Sequence, residues 1–231
     1  MSEFVETQIE FLKGVGPAKA QALQQELGIF TIADLLSHYP FRHEDRSKVL
    51  PIVEIMNYPD VFIQLKGRIS RGELIGHGPG TRYSAMLTDE TGQIELVWFQ
   101  GAKWIEKYID NSKEYLIYGK ASKFRNQWNI AHPELQVIDS EFQLSKLGLV
   151  PVYPLTEGLK RKKIENKLLV KLSKQVVEDP RFKIQDNLPD PILKKYNFPQ
   201  KKEALRMLHA PKNSQELEQA KQRLKYEELF Y

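Results

Sequence analysis

Cysteine is absent from the chain. That excludes disulfides and thiolate zinc sites, and it fits a reducing compartment. No apolar run reaches the about eighteen consecutive positions that a membrane helix requires. Residues 1–10 are acidic and mixed, unlike a secretory leader with its basic start and apolar stretch. The phosphate-cradling pattern G-x-x-x-x-G-K-[ST] is missing, and so are H-E-x-x-H and the G-x-S-x-G elbow. The histidines His38, His43, His77, His132 and His209 are scattered, and no two carboxylates are spaced as an evident acid/base pair. No catalytic residue, metal site or bound cofactor is therefore expected in this chain, and no enzymatic activity of its own.

What is present is a chain of 231 residues, enough for one large or two small domains with extensions. The net charge of +4 and pI of about 9.0 are compatible with a polyanionic partner but do not establish one.

Residues 60–139 organise the rest. Runs rich in Val, Ile, Tyr, Phe and Trp fall at 61–74, 82–88, 93–99, 114–123 and 128–138, separated by Gly, Asn and Asp turns. A short helical stretch at 103–109 stands between the third and fourth runs. Five strands with a helix in that place are the pattern of an OB-fold, which binds oligonucleotides on its second and third strands and two loops. The expected fold class is α+β: a five-stranded OB-fold β-barrel flanked by an N-terminal helical hairpin and C-terminal helical segments. The expected domain segments are 1–50, 51–140 and 141–231.

Alternation along 93–99 sorts the side chains. Ile94, Leu96 and Trp98 share one face, expected to be core, and Gln93, Glu95, Val97 and Phe99 share the other. Phe99 then lies on the mostly polar face, just before Lys103 and Trp104. An aromatic held there beside cations suits base stacking; the alternative is that Phe99 packs under the following helix. The presumed groove is flanked by Arg71, His77, Arg82 and Tyr83 on one side and by Lys123, Phe124, Arg125 and Trp128 on the other. Basic residues interleaved with aromatics suit a single strand or fork, whereas an ordinary solvated turn accounts for any one of them alone.

Before the barrel, residues 18–27 have helix-forming composition with Gly28 as a stop, and Thr31-Ile-Ala-Asp34 opens a second helix. The turn Gly14-Val-Gly16 ahead of them resembles a helix-hairpin-helix element, whose glycine amides approach a phosphate. An ordinary helix connection with two glycines is the other reading. Residues 41–47 read as a charged connector and 149–155 as a proline-stiffened one. Helical stretches follow at 164–177 and 198–209, and a last helix starts at Asn213. No Gly, Asn or Pro ends that helix, so the chain is expected to be cut in mid-helix with more protein beyond.

Several stretches together resemble the N-terminal part of RecG family ATP-dependent DNA helicases. They are Leu12-Lys-Gly-Val-Gly-Pro17, Asp34-Leu-Leu-Ser-His-Tyr-Pro40 with Glu44-Asp-Arg46, Leu87-Thr-Asp-Glu-Thr-Gly92, Val97-Trp-Phe99, Tyr118-Gly-Lys120 and His132-Pro-Glu134. Further on come Pro151-Val-Tyr-Pro-Leu-Thr-Glu-Gly158, Leu188-Pro-Asp-Pro191, Glu203-Ala-Leu205 with His209-Ala-Pro211, and Arg223-Leu-Lys-Tyr-Glu-Glu-Leu-Phe230. The resemblance implies that the OB-fold is a wedge which holds a DNA junction and splits strands while a C-terminal two-lobed motor pulls duplex. It implies that Trp98 and Phe99 are the wedge aromatics. A second aromatic, four positions later in some members, is here Lys103, with Trp104 adjacent. ATP and Mg belong to the family's motor, and their motifs have no counterpart here. The implied partners are branched DNA (a replication fork or Holliday junction) and a single-strand-binding protein. A monomer without membrane contact, in the nucleoid-associated cytoplasm of a bacterium, is also implied. The competing reading is an OB-fold protein-interaction module that recruits a repair partner.

Overall fold

Residues 3–140, 142 and 147–231 are described by the computed structural model, and they fall into two units. One is Arg46–Leu147; the other joins Met1–Asp45 to Gly148–Tyr231. The expected division is into three consecutive segments. In the structure the first and last share one core, in which Val5, Ile9, Leu23 and Leu35 pack with Leu169, Leu172, Phe182, Leu205 and Ala220.

The chain opens with α1 (Glu3–Glu6), a 3-10 turn at Ile9–Phe11 and α2 (Gly16–Leu27). Pro17 occupies the first turn of α2, where a missing N–H leaves nothing unsatisfied, and Gly28 ends the helix in the left-handed region at φ 67°. In α3 (Ile32–Ser37) the cap is reciprocal. Thr31 Oγ1 accepts from the Asp34 amide at 3.2 Å, and Asp34 Oδ2 accepts from the Thr31 amide at 2.8 Å. The expected hairpin of two helices around Gly14 and Gly16 is corrected here, because the element before the turn is a single 3-10 turn.

Next comes β1 (Arg42–Asp45), a strand where the sequence alone reads as a charged connector. After a 3-10 stretch at Ile52–Asn57 the OB unit runs through β2 (Phe62–Ile75), β3 (Arg82–Thr88), β4 (Gln93–Trp98), α4 (Ala102–Tyr108), β5 (Glu114–Phe124), β6 (Gln127–Ala131) and β7 (Glu134–Ile138). Antiparallel ladders join β2 to β3, β3 to β4, β5 to β6 and β5 to β2, while β4 pairs with β6 in parallel. The pairings thus return to the strand they started from, with the OB-fold connectivity. The expected fifth strand at 128–138 is two strands. His132, at φ 49°, and Pro133 break it, and β7 continues along the far edge of β5.

Alternation supplies the inner face of this sheet, although Gln64, Val97, Leu116 and Tyr118 on the opposite face are buried as well. Ile63, Leu65, Ile69, Ala85, Leu87, Ile94, Leu96, Ile117 and Ile130 fill the core, capped by Ala102 and Ile105 of α4. Gly67 lets β2 pass close to β3, since a Cβ there would stand 2.4 Å from the Thr88 carbonyl oxygen.

Beyond the OB unit, β8 (Leu149–Val152) pairs with β1, Arg42 opposite Val152 and Asp45 opposite Leu149. The two expected connectors are therefore one two-stranded sheet. Then follow α5 (Glu157–Arg161), α6 (Asn166–Val177), α7 (Asp190–Tyr196), α8 (Lys201–His209) and α9 (Ser214–Phe230), the last capped by Asn213 accepting from Glu216 N at 2.9 Å. No helix among the described residues is long and apolar enough to cross a membrane.

Candidate nucleic-acid interface

The outer face of β3 and β4 carries the candidate site. Tyr83 pairs with Trp98 across the two strands, and both rings turn into the core, 5.9 Å apart. Arg82 and Phe99 each lie one residue beyond that pair, at the same end, and so point to the opposite, outer side. Phe99 is 55% exposed. Packing under α4 is thereby excluded for its ring.

Two other side chains named from sequence are corrected. Trp98 and Tyr83 are buried and present no ring face to a ligand. The physical reason for Tyr83 is a bulge in β2 between Ser70 and Glu73, where Gly72 has no side chain. A Cβ on Gly72 would fall on the Tyr83 hydroxyl, so the phenol occupies the place that any larger residue would fill. Burial raises the phenol's pKa above its ordinary value. The same bulge puts Arg71 at φ 53° with its side chain in solvent.

The helix α4, which follows Phe99 in the chain, has an aromatic and basic surface. Trp104 and Tyr108, four residues apart on α4, stack at 5.0 Å with ring planes 15° apart, and both are exposed. Lys103 and Lys107 lie on the same helix, as does one carboxylate, Glu106, and all three are exposed. His77 lies within the Gly76–Gly80 turn between β2 and β3 and Arg82 follows it, and both are exposed.

The second group stands at the other end of β4. Because β6 runs parallel to β4 with Glu95 opposite Asn129, the β5–β6 hairpin lies beside Gln93. Five residue steps of strand separate the two ends, about 17 Å. In that hairpin Arg125 and Asn126 both adopt positive φ, 46° and 67°. Phe124 is exposed, with the Arg125 guanidinium 5.4 Å from its ring centre. Lys123 is exposed, whereas Trp128 is half-buried against the core. Between the two ends the face is neither basic nor aromatic. Met86, Val97 and Glu95 occupy it, with Glu95 accepting from Ser84 Oγ at 2.7 Å. Among the described residues, Arg71, Arg82, Lys103, Lys123 and Arg125 take part in no ion pair.

Gly14 and Gly16 belong to the other unit. Both have positive φ, 101° and 68°, and Gly14 O accepts from Lys19 Nζ at 2.9 Å. Sequence reasoning missed Tyr108 and His132, which touch Trp104 and Phe99 respectively. The signal for Tyr108 was its helical spacing from Trp104; for His132 it was a proline after a strand. No group of three or more His, Asp or Glu among the described residues could hold a metal ion.

Comparison with known proteins shows the family of the chain. The model of the RecG wedge domain family matches residues 8–175. The ATP-dependent DNA helicase RecG of Thermotoga maritima is 29% identical over 228 residues, which are 97% of this chain and 28% of that protein. RecG of Haemophilus influenzae is 31% identical over 231 residues, 95% of this chain and 31% of that protein. The chain thus spans about 30% of the length of the curated relatives it matches. A solved structure of RecG bound to a three-way DNA junction superposes with a TM-score of 0.79 at 28% identity, covering 97% of this chain and 30% of the other.

Proposed function

The chain belongs to the RecG wedge domain family, and from that premise we propose that it is the junction-binding wedge of a RecG-like ATP-dependent DNA helicase acting in recombination and repair. The observation that carries the reading is Phe99, held out in solvent at the end of β4 beside Arg82, Lys103 and the Trp104–Tyr108 pair. An aromatic ring anchored on a closed ladder of strands offers a flat apolar face to an unpaired base. Neighbouring cations hold the phosphates on either side. In this reading Phe99 caps the last base at a replication fork or Holliday junction, Trp104 offers a second stacking face, and the β5–β6 hairpin guides a strand across the sheet. ATP and Mg act in the remaining length of the helicase, and this chain hydrolyses no ATP. It works as a monomer in the bacterial cytoplasm, at the nucleoid, and a single-strand-binding protein is a further partner.

The test is binding of this chain to a forked duplex and to a linear duplex of equal length at one stated salt concentration. Forked DNA is expected to bind more tightly, and Phe99→Ala to weaken fork binding by about 1–3 kcal/mol with the fold intact. Equal affinity for both DNAs would remove junction recognition; an unchanged Phe99→Ala would remove stacking.

A second reading has one observation behind it. Val53, Met56, Val61 and Phe62 are all exposed within ten residues, which suits a protein partner on the OB unit. Binding that is insensitive to salt would favour it over DNA.

A further inference from the structure

His132 is bound to Phe99 twice. The Phe99 amide donates to His132 Nε2 at 3.3 Å, and the two rings lie 5.7 Å apart at 50°. The reason is in the ladder. β4 and β6 run parallel, Val97 opposite Ala131, and the His132 amide donates to the Val97 carbonyl at 2.7 Å. In a parallel ladder that continues, the next bond would run from the Phe99 amide to the His132 carbonyl. His132 instead turns to φ 49°, Pro133 follows, and the strand leaves. Its imidazole nitrogen takes the bond that its carbonyl gives up. An exposed phenylalanine one residue past its strand would otherwise carry a free amide and two soft dihedrals.

We propose that His132 is the positioning residue of the wedge aromatic, holding Phe99 in place so that its ring meets a base without first being ordered. The proposal rests on the base-stacking reading of Phe99. The bond needs Nε2 without a proton, so the neutral ring carries its hydrogen on Nδ1. Preorganisation of this kind enters as affinity, because the ordering entropy is already spent before DNA arrives.

The experiment is a double-mutant cycle on this chain with Phe99→Ala, His132→Ala and the pair. It is read by affinity for a forked duplex and by quenching of 2-aminopurine at the branch point, with thermal unfolding alongside. Loss of one exposed neutral hydrogen bond predicts that His132→Ala weakens fork binding about threefold to tenfold and lessens the quenching. In the Phe99→Ala background the same change should do nothing. His132→Gln, whose amide oxygen reaches the place of Nε2, should restore most of the binding. Additive losses, or a His132→Ala variant that binds and quenches like the parent, overturn the proposal while leaving Phe99 in its role. A Phe99→Ala variant that binds forks normally overturns the stacking reading and the proposal with it.

Discussion

Among single residues, the contrast between Phe99 and His209 shows what a position imposes on a side chain. Phe99 is displayed; His209 on α8 is shut away, 1% exposed, with Nε2–H donating to the Leu36 carbonyl at 2.9 Å and Nδ1 accepting from the Tyr153 hydroxyl at 2.8 Å. Both bonds suit the neutral ring. Burial, aided by nearby His43 and His38, drives its pKa down from 6.5 to about 4, and burial pushes the Tyr153 phenol up so that it keeps its donor proton. His43, whose ring bonds the Leu208 carbonyl at 2.8 Å, is lowered by burial in the same direction. The consequence for stability has a definite sign. Above about pH 6.5 neither folded nor unfolded chain protonates this ring, and the full stability is present. As pH falls from 6.5 towards 4 the unfolded chain takes up a proton that the folded one refuses, and stability on the order of 3 kcal/mol is lost. Thermal unfolding between pH 7.5 and 4.5 should therefore show a steeper fall for the parent than for His209→Gln, which is less stable at neutral pH but titrates less. Parallel curves would show that His209 is not the group responsible.

At the level of elements, local chemistry wrote the parts of the fold that could be read in advance. Thr31 with Asp34, Gly28 and Asn213 mark helix ends through bonds within a few residues, and the structure has each of them. Period-two alternation placed Ile94, Leu96 and Trp98 inside and Phe99 outside, because one strand's pleat settles that question. What could not be read depends on partners far away in the chain. Arg42–Asp45 looks like a charged connector until Leu149–Val152, more than a hundred residues later, supplies its ladder. Tyr83 looks like a groove aromatic until Gly72 on the neighbouring strand makes room for it. The break at His132 hides behind a run of strand-forming residues on both sides. Glycine at such a crossing is a sharp test of the sheet. Gly67→Ala would drive its Cβ against the Thr88 carbonyl, which is backbone and cannot swing aside. The expected loss is at least about 2 kcal/mol, the range of overpacked core sites, seen as a lower denaturation midpoint with the OB unit melting first. An unchanged midpoint would mean that β2 and β3 are not pressed together there.

For the whole molecule, the proposed contact with DNA raises the question of whether charge or shape dominates it, and the two ends of the candidate site differ. Phe99, Trp104 and Tyr108 gather aromatic surface at one end of β4, with Arg82 and Lys103 beside them; at the other, Lys123 and Arg125 accompany Phe124. Between them lie Met86, Val97 and Glu95, the carboxylate already held by Ser84. Cations and rings contribute through separable quantities. A phosphate neutralised by Arg or Lys releases a counterion, so the logarithm of affinity falls with the logarithm of salt by about 0.9 for each contact on duplex and about 0.7 on a single strand. Stacking releases none. A plot of fork affinity against salt for this chain should therefore have a slope near −3 if those four cations each meet one phosphate. Arg82→Ala with Lys103→Ala, or Lys123→Ala with Arg125→Ala, should each flatten it by about 1–2, by weakening forked and linear DNA alike. Phe99→Ala should lower the whole line for forked DNA and leave its slope where it was. A flat plot for the parent would turn the same surface into a site for protein, with the exposed side chains of Val53, Met56, Val61 and Phe62 as the place to look for it.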